Sequence, residues 1–284
     1  MLLFFKYNTL RLIGRTIAFV VMALLLCQYA IAQDTLINRA FISGEHLGYK
    51  LNYSSSLGEF NAGMADVDVG ILKKRDTVNG QVRTLYHITG TGNSNRFFDF
   101  FYKVRDHFET FVDSATLLPV RFIRQTHEGH YIFNDDVTFD RETGTVVSRH
   151  KQIPIPDNVH DIISSVYFMR TLNLDDFGTD STYYFNFFLD DSVYHSVVKV
   201  LGRELLETKW GLIPCLKLMP MMATGEVFAK KYPVTMWVTD DSNHVPVRAE
   251  ARIIVGAVTM ELTGFSGLKN PDGSVLNWKT GNAR

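Results

Sequence analysis

Cysteine is almost missing: two occur in 284 residues, Cys27 and Cys215. If Cys27 is lost with a leader, Cys215 is alone, which excludes an internal disulfide framework. Proline is scarce at 8 residues, which fits a globular rather than a disordered chain, and two of them, Pro154 and Pro156, mark the IPIPDN stretch as the expected linker. No Lys/Arg run is longer than Lys73-Lys74-Arg75, and nucleic-acid binding needs larger basic clusters. No G-x-S-x-G elbow is present, no pair of histidines four apart around a Glu, and no D-x-D-x-D run with glycine. Those gaps remove the local signatures of α/β-hydrolases, zinc proteases and calcium loops.

One apolar run is present, from Ile17 to Cys27. Lys6, Arg11 and Arg15 precede it, and Ala30-Ile31-Ala32 follows. A basic start, about 11 apolar residues and an A-x-A site read as a secretory signal, cut after Ala32. The run is shorter than the ~20 residues of a spanning helix. Lipidation at Cys27 is a rival, opposed by the bulk of Leu26. The expected place of work is outside the cytoplasm, in the periplasm first, with association with the outer membrane left open. Removing residues 1–32 takes three of 29 basic residues and none of the 30 acidic ones, leaving 26 against 30 and a formal charge of −4. The remaining 252 residues suit a single β-rich domain over 33–284, or two β-halves joined near 150–172. They are long enough to bury a core without disulfides.

Aromatics are plentiful (21 Phe, 12 Tyr, 3 Trp), as in a globular chain. Strand patterns dominate. Leu47–Tyr53, Ala65–Val69 and Val82–Ile88 alternate apolar and polar residues, so one face is buried and one is wet. Leu57-Gly58-Glu59 and Asn79-Gly80 mark turns. Strands return over 183–189, 196–200, 210–219, 234–239, 247–254 and 257–263. Two stretches match: Phe111-Val112-Asp113 leading to Pro119-Val120-Arg121, and Trp237-Val238-Thr239-Asp240 leading to Pro246-Val247-Arg248. Each runs an aromatic-Val strand into an Asp turn and reopens on Pro-Val-Arg, where proline suits a strand's first residue. The expected fold is mainly β: a large curved antiparallel sheet, a half-barrel or open-barrel meander, with two short helices.

The first helix is expected over 94–105. Phe97, Phe101, Val104 and Phe108 fall at helical spacing after a capping Ser94. Phe97, Phe98, Phe101 and Phe108 are the candidate apolar ligand or lid residues, with a packed plug for the sheet's mouth as the blander alternative. The second helix is expected over 160–172, capped by Asp157 or Asn158, with Ile162, Val166, Met169 and Leu172 on its buried face.

Other candidates read as structural. His127 and His130 flank Gly129 at a turn; His107 and Glu109 share a strand face; Cys215 sits in an apolar strand. The acidic doublets 135–136, 175–176, 190–191 and 240–241 sit at turns or strand ends. No catalytic, metal or cofactor site is assigned.

Gly44-Glu45 with Leu47-Gly48-Tyr49, Ala62-Gly63, Phe122–Gly129, the Asp157–Arg170 helix, Gly202-Arg203-Glu204 and the Trp237–Arg248 hairpin, in that order, resemble an exported bacterial family known as domain of unknown function 3108. The likeness spans about 44–268 and carries no catalytic residue. The Asp-turn-Pro-Val-Arg hairpin is also similar to one in LolA/LolB-type periplasmic lipoprotein carriers, which implies a curved sheet able to hold acyl chains.

Two functions of different class follow as expectations. One is a non-enzymatic envelope protein that binds a lipid, acyl chain or other hydrophobic ligand. The other is a protein-interaction or scaffold module with an envelope protein partner. An envelope hydrolase ranks last. The oligomeric state is not legible.

Overall fold

In a computed structural model, residues 37–56, 58–75, 82–174, 178, 180–220, 234–253 and 256–276 are described. The leader over 1–32, the Asn79-Gly80 turn and the 175–176 doublet lie outside the described residues.

The chain starts at the middle of its sheet. β1 (His46–Ser55), β2 (Gly58–Arg75), β3 (Val82–Ser94), β4 (Val104–Asp113), β5 (Pro119–Glu128), β6 (Tyr131–Asp140), β7 (Thr145–Val147) and β8 (Gln152–Pro154) step outward to one edge. Residues 155–158 then carry the chain to the other edge. From there β9 (Val159–His160), β10 (Thr182–Leu189), β11 (Ser192–Thr208), β12 (Gly211–Pro220), β13 (Val234–Thr239), β14 (Pro246–Arg252) and β15 (Ala257–Ser266) step back inward, until β15 pairs with β1. Among the described residues the result is one open sheet of 15 strands, not closed into a barrel, antiparallel except where β9 meets β10.

The sheet must curve. Fifteen flat strands would spread over roughly 65 Å at normal spacing. Yet one helix of three turns, α2 (Ile162–Thr171), joins buried clusters on widely separated strands. Tyr167 packs with Ile88 of β3 and Val112 of β4, while Met169 packs with Leu216 and Leu218 of β12. Ile162 and Ile163 pack with the Phe122, Val137 and Phe188 cluster of β5, β6 and β10. Strands so far apart in the sheet reach one helix only if the sheet wraps around it.

The second helix stands where it was expected, within 160–172, with a different cap, while the first departs from its expectation. α1 is a single turn, Arg96–Asp99, capped by Asn95, whose side chain accepts from the Phe98 amide. Helical spacing suggested continuation to 105, but Val104 and Arg105 enter the β4 ladder, pairing with Glu128 and His127. The expected cap, Ser94, instead accepts from the Val104 amide. Ladder hydrogen bonds outweigh a helical pattern of aromatics, because apolar spacing alone fixes no backbone bond. For α2 the cap is Asp161. Its carboxylate accepts from the Ile163 and Ser164 amides, and the Ser164 hydroxyl accepts from the Asp161 amide. This capping box satisfies donors that Asp157 or Asn158 would leave open, and it places His160 in β9.

The two matching hairpins share more than sequence. Each has a register shift at its aromatic-Val pair, Phe111/Val112 and Trp237/Val238. Each holds a positive φ two residues before its proline, at Leu117 (57°) and His244 (42°). In each, the arginine two places after the proline pairs with an acid on the next strand: Arg121 with Asp136, Arg248 with Glu261.

Candidate functional site

Gly44 adopts φ +95°, and a Cβ on Gly267 would run into the Gly44 carbonyl oxygen, so two glycines let the chain turn tightly before β1. That turn is pinned to β2: the Gly44 amide donates to the Val69 carbonyl and the Val69 amide to the Glu45 carbonyl. It aims Glu45 inward, where its carboxylate meets Arg170 from the last turn of α2. Nη1 lies 2.6 Å from Oε1 and Nη2 2.7 Å from Oε2.

The remaining polar atoms of this pair are also used. Arg170 Nε donates to the Asn243 carbonyl, and the Tyr167 hydroxyl donates to Glu45 Oε1. The guanidinium lies over the Tyr167 and Phe41 rings. Burial opposes the charge on Arg170, but Glu45 outweighs it and raises the arginine above its ordinary range. Asn243 then bonds Asn270 near the C-terminal end of the described chain. One charged node therefore ties together the chain before β1, helix α2, the β13–β14 turn and the segment after β15.

Beside this node, between α2 and the sheet's middle, lies an apolar cleft of about 170 Å³. Leu47 and Tyr49 of β1, Ala65 and Val67 of β2, Met260 of β15, and Met236 and Pro246 of the β13–β14 hairpin form one wall. Ile163, Val166 and Tyr167 of α2 form the other. The polar atoms at its edge are engaged: the Tyr49 hydroxyl donates to the Pro246 carbonyl, and Arg170 is held by Glu45. Burial also raises the Tyr49 and Tyr167 hydroxyls, so both stay neutral. Apolar cavities of about 150 Å³ stay dry and admit a benzene-sized guest, whereas whole drug-sized ligands need ~300–1,000 Å³. The cleft thus fits a ring or a short stretch of alkyl chain.

The four phenylalanines expected as ligand or lid residues part company. Phe97 and Phe101 are 61% and 68% exposed and meet each other edge-on at 5.4 Å. Phe98 meets Tyr53 edge-on at 5.9 Å. Phe108 lies on β4, not on a helix, stacked 6.3 Å from Phe122. None of the four lines the cleft. The residues that do were read as strand and helix core. The family-like motifs held several of them, Leu47 and Tyr49 near the start, Ile163, Val166, Tyr167 and Arg170 on the helix and Pro246 in the hairpin, but as structural turns and strand starts rather than as a site.

On the β3–β4 face the titratable side chains satisfy one another. His107 shares its strand face with Glu109 as expected, and His87 of β3 joins them. Glu109 takes His87 on one oxygen at 2.7 Å and His107 on the other at 3.1 Å. Burial works against its charge, but the two imidazoles hold its carboxyl below the usual range. Gly129 sits at the expected turn with φ +60°. On β4 and β5, burial raises both Asp106 and Glu128, and the charge on Asp106 raises Glu128 further. Among the described residues, no group of three His, Cys, Asp or Glu is placed to hold a metal. Cys215 is fully buried beside Ile213 and Trp237, and burial pushes its thiol up to about 12, opposite to what a nucleophile needs.

Two solved structures align with this chain at low identity. A beta-barrel-like protein of domain of unknown function DUF1849 from Brucella abortus aligns at 8% identity and TM-score 0.48, over 80% of this chain and 98% of its own. A Bacteroides fragilis protein with a YmcC-like fold aligns at 10% identity and TM-score 0.33, over 81% of this chain and 99% of its own. No curated protein matches the sequence. The model of the family described as protein of unknown function (DUF3108) matches residues 49–263, well over half of the chain, and the protein belongs to that family.

Proposed function

We propose that this is an exported, non-enzymatic binding protein of the cell envelope that takes an apolar group, a ring or short alkyl segment, in the cleft beneath α2. The cleft carries the reading: it is walled by apolar side chains, open to solvent and bordered by polar atoms that already have partners. Such a site gains affinity by removing apolar surface from water and offers no group to activate a substrate. The leader-like residues 1–32 support export.

Its size sets the ligand. About 170 Å³ holds only part of an acyl chain, so a longer ligand would leave its remainder along the concave face or outside. Native mass spectrometry of protein purified from the envelope fraction tests this. The expected result is an apolar adduct that detergent or solvent strips away. Protein that shows no adduct and binds no apolar dye at saturating dye would overturn it.

A further inference from the structure

The structure spends considerable polar scaffolding on holding three aromatic rings in solvent. Phe97, Phe100 and Phe101 are 61%, 85% and 68% exposed, although isolated burial would favour the opposite. They are not loose. Phe101 packs edge-on against Phe97 at 5.4 Å and Phe100 at 5.2 Å. Their turn is fixed from below: Asn95 bonds Asn61 of β2, and Asp99 is locked by Ser94 and by two bonds from Arg105. The neighbouring β5–β6 turn braces the segment. The Gly129 amide donates to the Lys103 carbonyl, and a Cβ at Gly129 would sit 2.8 Å from the Tyr102 ring.

We infer that α1 and its exit form a membrane-docking knuckle, with these rings entering the interface of an anionic bilayer and Arg96 and Lys103 meeting its headgroups. Charge on the segment favours a lipid surface over a protein partner. Exposed Arg96 and Lys103 bracket the rings, and the segment's own acid, Asp99, is spent on Arg105. Glu59 is committed to β2, opposite Ser54 of β1, and Glu128 of β5 lies on the Tyr102 side, away from the three rings' own bracket of bases. The rings also stand on a one-turn projection between strands, where a protein hot spot would more often fill a pocket. Aromatic tips between basic residues match the aromatic and cationic anchoring of interfacial segments. This inference does not depend on the cleft binding anything.

Flotation with vesicles tests it, using phosphatidylcholine alone and mixed with phosphatidylglycerol. Wild type and variants carry the same residues 1–32, so any contribution from the Ile17–Cys27 run is common to both. Wild type should float with the anionic vesicles, less with neutral ones, and less at high salt. Phe100→Ser with Phe101→Ser should weaken binding by at least about tenfold at unchanged melting temperature, since exposed rings hold little of the fold. Arg96→Gln with Lys103→Gln should lower binding to anionic vesicles only. The inference fails if wild type does not float, or if the serine variant floats equally well. It fails also if sedimentation velocity shows that the rings hold two copies together while vesicle binding is unchanged.

Discussion

Arg170 and Glu45 form a two-pronged ion pair across 125 residues of sequence, with both side chains almost wholly buried. Breaking such a pair from one side strands a charge in the interior, which costs about 3–5 kcal/mol. Arg170→Met should therefore destabilise strongly in denaturant melts. Adding Glu45→Leu should recover a large part of the loss, because two apolar residues leave no stranded charge. A double variant as unstable as the sum of the singles would show that the pair is not a coupled unit.

The node also explains what was legible in the sequence. Strand alternation located β1, β2 and β3, and the Pro-Val-Arg repeat located β4–β5 and β13–β14, because each pattern records a single local periodicity. Asn243 belongs to that second hairpin, so the turn meeting Arg170 was visible as a turn but not as a contact. No periodicity links Glu45 to Arg170; their meeting depends on the crossing at 155–158 from one sheet edge to the other. The cleft was hidden for the same reason. Its walls come from five strands and a helix, each reading as ordinary core. Residues 94–105 misled because helical spacing of phenylalanines does not reveal which backbone groups a neighbouring strand will claim.

Phe97 and Phe101 should prove dispensable for folding. In a filled core each Phe→Ala would cost ~3–5 kcal/mol. Exposed as they are, the double alanine variant should lose no more than about 1 kcal/mol in all. Chemical denaturation checks this, and a loss of several kcal/mol would place the rings in a packed interior.

His160 should make the protein sensitive to mild acid. Burial first, and the charge of Arg141 second, lower its pKa to about 3. Unfolded, it titrates near its ordinary value of 6.5. The unfolded chain thus binds this proton below pH 6.5 while the folded one refuses it, so stability is full above 6.5 and falls as pH drops toward 3, by about 1.4 kcal/mol per pH unit. Asp106 and Glu128, raised by burial, pull the other way in part of this range. They are common to wild type and variant. His160→Leu should therefore flatten the fall in melting temperature between pH 6.5 and 4.5 relative to wild type. Parallel curves would contradict the buried neutral imidazole.

Cys215→Ser should leave apolar binding intact. The serine hydroxyl would replace a thiol buried among apolar side chains such as Ile213 and Trp237, costing roughly 1–3 kcal/mol, and Cys215 does not line the cleft. Reduced dye binding at unchanged melting temperature would give the thiol a role that its burial denies.

The central claim is that the cleft beneath α2 is the binding site, and Ala65 gives the sharpest probe of it. Ala65 lines the wall formed by β2, opposite Tyr49 of β1 and Gly92 of β3. Ala65→Leu adds three carbons to a space of about 170 Å³ and removes no existing contact. Fluorescence titration with an apolar naphthylamine dye, alongside thermal melting, is the direct measurement. Saturable binding by wild type, lost or weakened at least about tenfold in Ala65→Leu with melting temperature held or raised, is the predicted result. Equal dye affinity in the two folded proteins would place the ligand elsewhere and contradict the account.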